Sequence, residues 1–102
     1  MPERTDWSAL DDTLARFLQE PSHASRILTT AADVLVGDPF LTINAWTLDH
    51  AVRIAAHQVT DGLPDAVAAE ADRLARLALP LAHPGETCDC YALRLRDIAR
   101  TV

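Results

Sequence analysis

Chemistry is concentrated in one short stretch, His83-Pro84-Gly85-Glu86-Thr87-Cys88-Asp89-Cys90. Thiolates and an imidazole are donors that favour zinc or copper, so His83, Cys88 and Cys90 form a candidate metal set, with zinc the metal implied. His23, His50 or His57 would supply a fourth ligand. The spacing argues against it. Structural zinc sites use C-x₂₋₄-C so that both sulfurs turn toward one ion. C-x-C on a helix aims its side chains about 200° apart. The competing reading makes Cys88 a small core residue and Cys90 a surface one, since free cysteine packs as a hydrophobe. A redox role is a further option. With Thr87 as N-cap, both thiols occupy a first helical turn, where the helix dipole lowers thiol pKa and the nearby Asp89 and Glu86 oppose it. The leading reading takes no cofactor.

The remaining candidates are weaker. His50 and His57 share a helix face with Arg53 between them, but two turns separate them by about 10 Å, too far to hold one ion. No G-x-S-x-G is present, and Ser8, Ser22 and Ser25 fall at caps or on wet faces. With three glycines the chain has no phosphate-cradling loop. Asp11/Asp12 and Asp61/Asp65 read as helix-start charges.

Two helical-domain families are testable on motif. A histidine phosphotransfer domain needs a lysine after its histidine, and all nine basic residues here are arginine. Trp46-Thr47-Leu48-Asp49-His50 is similar over one turn to the start of a carrier-protein recognition helix, yet Thr47 stands where that family needs its anchor serine. Neither family is supported.

Prolines and Asp/Gly turns delimit the elements that would position these residues. Asp6 caps a helix over about 7–18 with the stripe Trp7, Leu10, Leu14, Phe17 and Leu18. A second runs from His23 to Val36 behind Ser22, burying Ala24, Ile27, Leu28, Ala31, Val34 and Leu35, with Gly37 as C′ residue. Asp38-Pro39 can start a short helical turn. Phe40 to Trp46 leads into a third helix capped by Asn44 or Thr47 and ending near Val59. Pro64 at N1 opens a fourth, with a seam of Val67, Ala71, Leu74, Ala78 and Leu81. Its end, Leu74 to Leu79, is apolar on nearly every side and so needs cover from neighbouring helices or another subunit. Thr87 caps a fifth helix from Cys88 to Thr101, lined inside by Cys88, Tyr91, Ala92, Leu95, Ile98, Ala99 and Val102.

The expected architecture is therefore all-α: one domain over residues 1–102, a bundle or orthogonal array of about five short helices. Length and composition agree. One hundred and two residues allow one core, and 49% hydrophobic with 24% charged residues is globular usage. A net charge of −6 disfavours nucleic acid as a partner. No apolar run approaches the roughly 18 residues that span a bilayer. Glu3, Arg4 and Asp6 stand where a secretory leader would be apolar, so the expected location is cytoplasmic.

Function is expected to be non-enzymatic: a regulatory, adaptor or accessory module that binds a protein partner, or itself as a homodimer. Leu77, Leu79 and Leu93 would form the apolar interface, with Arg96 and Arg100 at its edge. The alternative is a helical small-molecule- or metal-binding protein, using His83, Cys88 and Cys90 for a metal, or Phe40 and Trp46 with Leu79 to line an organic pocket.

Overall fold

The computed structural model describes residues 22–102, and within them the fold is all-helical. Four helices follow one another: α1 (His23–Leu35), α2 (Ala45–Val59), α3 (Asp65–Leu77) and α4 (Cys88–Ala99). They correspond to the second to fifth helices expected from the sequence; the helix expected over 7–18 lies outside the described residues. No strand forms among the described residues, where an isolated antiparallel bridge joins Thr42 to Thr87.

Local chemistry sets the helix starts. The Ser22 hydroxyl accepts from Ser25 N–H at 3.0 Å, Asn44 Oδ1 from Thr47 N–H at 2.9 Å, and the Thr87 hydroxyl from Cys90 N–H at 3.4 Å. Each satisfies a donor that the first helical turn leaves free. Asn44, rather than Thr47, is thus the α2 cap. Pro64 is one residue earlier than expected, at the N-cap of α3 rather than at N1. Gly37 does follow the α1 C-cap Val36, but without the left-handed φ of Gly62 (81°) and Gly85 (74°). Gly85 has that φ because it is third in a tight turn closed by Glu86 N–H donating to His83 O at 3.0 Å. Asp38 and Pro39 form turns rather than a helix.

α1 is the hub. It packs against each of the other three helices, whereas α3 and α4 make no backbone approach to one another. Its Ile27, Leu28 and Ala31 are fully buried, and Val52, Tyr91 and Leu95 close over the same core. Fully burying a leucine or isoleucine stabilises by about 1.5–3 kcal/mol, so this strip of α1 holds the fold together. Ser25 fixes α4 to it, donating to Ala99 O at 2.6 Å.

α3 departs from expectation. The contact that anchors it is made by Ala71 and Ala75; Val67 and Leu74 of the expected seam are exposed, and so is Leu81. Alanines let two helices approach closely, and that approach leaves the longer side chains at the flank. The helix also stops at Leu77, so Leu79 lies beyond it and packs half-buried against the core. The helical end expected to be covered on every side is therefore covered on one side only.

Candidate interaction surface

The His-Cys-Cys stretch does not assemble into a metal centre. Cys88 is buried at the first position of α4, while Cys90 and His83 are exposed. Regular helix around the Thr87 cap keeps the two sulfurs on different sides. Among the described residues, no three His, Cys, Asp or Glu side chains gather where they would hold an ion. Burial pushes the Cys88 thiol up, with Asp38 adding to the effect, the opposite of a reactive thiolate.

That loop is instead organised by Glu86, which its sequence neighbourhood marks only as a charge near the thiols. Its buried carboxylate accepts from Arg94 at 2.6 Å and from His83 N–H at 2.9 Å, and its carbonyl accepts from Ile43 N–H at 2.8 Å. Arg94 also donates to Leu81 O at 3.1 Å and lies 5.7 Å from the Tyr91 ring centroid. Tyr91 OH donates to Pro80 O at 2.7 Å. The loop after α3 is thereby strapped onto α4. The signal was an acid eight positions before an arginine, a spacing too long for a helix pair and readable only once the loop's path is known.

The carboxy-terminal arginines do not form a free cationic patch. Arg96 pairs with Asp33 at 2.9 Å and Arg100 with Asp97 at 3.5 Å, so both are committed within the chain. On the other flank, Asp49 of α2 bridges to Arg76 of α3 at 2.9 Å and to Arg53 at 2.9 Å. The Arg76 hydrogen bond, with Arg53 beside it, holds the Asp49 carboxyl below its usual range.

Apolar exposure is where the surface departs from an ordinary one. Leu77 is 70% exposed, Leu93 58%, Trp46 74% and Phe40 89%. Phe40 and Trp46 therefore do not line an organic pocket, because a pocket encloses its wall; Trp46 lies on the surface stacked on His50, with ring centroids 5.3 Å apart. His50, Arg53 and His57 border a shallow depression of about 330 Å³ with Ile54 and Gln58. Leu77 and Leu93 belong to helices whose backbones make no close approach to one another, and Leu79 is partly buried.

A larger groove, of about 390 Å³, opens between the start of α1 and the outer face of α3. Ser22, His23 and Ala24 form one wall; Ala66, Val67, Glu70, Ala71 and Leu74 form the other. His23 Nδ1 is enclosed there without a hydrogen-bond partner among the described residues. Leu77, the last residue of α3, and Leu81 in the following loop are exposed as well. Compared with known proteins, the chain matches no family model, no curated protein and no solved structure.

Proposed function

We propose that this chain is a non-enzymatic helical interaction module, a regulator, adaptor or accessory subunit, that self-associates through the carboxy-terminal end of α3. The supporting observation is the exposed pair Leu77 and Leu81, bracketing the end of that helix. Leucines left exposed at a helix end offer apolar area that a protein partner can cover. In a two-fold dimer each leucine is buried twice. With Leu77 already 70% exposed in one copy, covering it contributes about 1–2 kcal/mol per copy. The cytoplasm is the location in keeping with two free thiols.

Sedimentation velocity at micromolar concentration tests this reading. The dimer is expected for the unmodified chain, and Leu77→Glu is expected to weaken it at least about thirtyfold. A monomer at every concentration, with Leu77→Glu leaving solubility unchanged, refutes it.

A further inference from the structure

We propose that the outer stripe of α2, formed by Trp46, His50, Arg53 and His57, is a docking site for an acidic peptide segment of a partner protein. These residues recur at intervals of four, three and four, so they share one helix face, and all of them are exposed. From first to last they cover about 16 Å. His50, Arg53 and His57 border a depression of about 330 Å³, in which half-buried Ile54 is the apolar wall.

The stripe is a row of donors. An indole N–H, a guanidinium fork and two imidazoles present N–H groups to solvent, and their complement is a surface rich in acceptors. α2 carries one acid, Asp49, at the edge of the stripe toward α3. Asp49 is bonded to Arg76 at 2.9 Å and to Arg53 at 2.9 Å, and the Arg76 bond does most to hold its carboxyl below the usual range. Arg53 can therefore exchange Asp49 for an incoming carboxylate without stranding it, since an exposed ion pair is weakly held. A guanidinium then grips the new carboxylate with two parallel bonds.

Trp46 supplies the apolar anchor. Its ring lies 3° from parallel with that of His50, which steadies both side chains before anything binds and so lowers the entropy lost on docking. Exposed tryptophan beside arginine is the pairing that most often carries interface energy. Two helical turns, about 10 Å, separate His50 from His57, so one compact anion spans only part of the stripe, whereas a peptide with several carboxylates follows all of it. The net charge of −6 does not oppose this, because in 0.1 M salt charges more than about 10 Å away are largely screened. The proposed dimer rests on other residues, Leu77 and Leu81.

Nuclear magnetic resonance titration of the isotope-labelled full chain in 0.1 M salt tests the proposal. The probe is a synthetic peptide of about twelve residues, glutamates around a central phenylalanine, long enough to follow the stripe; the control replaces every glutamate with glutamine. Shifts are expected at the Trp46 indole and along the outer face of α2, saturating below about 1 mM, with the control at least about tenfold weaker. Arg53→Gln and Trp46→Ala, both at exposed positions, are each expected to weaken binding by at least about tenfold while the other resonances stay in place. Leu77→Glu is expected to leave it unchanged. No shift at about 1 mM peptide, equal binding of the control, or loss of binding in Leu77→Glu overturns the inference. Inorganic phosphate alone shifting the same resonances equally overturns it in favour of a small anion, and tighter binding of an oligodeoxythymidine in favour of a single-stranded nucleic acid.

Discussion

Tyr91 offers an unusually clean test of the core. It is the chain's sole tyrosine, no lysine is present, and arginine stays charged at any accessible pH. Above pH 10, titration therefore reports little besides this phenol and the two thiols. Tyr91 is fully buried, and burial pushes its pKa from 10.0 to about 12, with Arg94 partly offsetting the rise and Glu86 adding to it. The folded state thus favours the neutral phenol. The stability this provides is complete below the unfolded value of 10 and is lost as the pH climbs through 12. Two pH units correspond to about 2.7 kcal/mol, a substantial part of the 5–15 kcal/mol typical of a domain. Urea midpoints measured from pH 9 to 12 should fall by on the order of 1–2 M, in step with a late rise of tyrosinate absorbance. Tyr91→Phe costs about 1 kcal/mol at neutral pH, through loss of the bond to Pro80 O, and should flatten most of the alkaline slope. The slope that remains belongs to the thiols, Cys88 included. Tyrosinate absorbance rising near pH 10 in a still-folded protein, or equal alkaline slopes for the two proteins, would refute the reasoning.

Two further expectations concern α4. Arg94→Met leaves the Glu86 carboxylate buried without its cation and should destabilise by about 2–3 kcal/mol; this is below the 3–5 kcal/mol of a fully buried pair because Arg94 is a third exposed. Combining it with Glu86→Met should recover much of that loss in chemical denaturation, and strictly additive effects would show that the pair is uncoupled. In thiol labelling at neutral pH, Cys90 should react at once and Cys88 only after denaturant is added. Two rapid equivalents in the native protein would contradict the burial of Cys88.

Much of the scaffold was legible because caps and periodicity are local. Ser22, Asn44 and Thr87 announce helix starts by side-chain chemistry alone, and the four-then-three spacing of Ala24, Leu28 and Ala31 marks a face that α1 buries. Periodicity names the residues sharing a face but not how deeply the face is inserted. On α3 this decided the outcome: Ala71 and Ala75 make the contact, and Leu74, between them in sequence, remains 42% exposed. Trp46 shows the same limit from composition, since a large aromatic is usually core and here projects from the first turn of α2. The Glu86–Arg94 strap was illegible because it depends on where a loop travels. Cys88 and Cys90 stay apart for a local reason already in view in the C-x-C spacing: alternate residues on a helix diverge.

The alanine footing of α3 has a mechanical consequence. Small side chains give a close fit but little buried oil, and its tether to α2 through Asp49 and Arg76 is wet enough for salt to loosen. α1 grips α2 on one side and α4 on the other through leucine, isoleucine, valine and tyrosine. The molecule is thus graded in cohesion, a firm three-rod keel carrying one lightly moored spar, and the spar can lift without capsizing the rest.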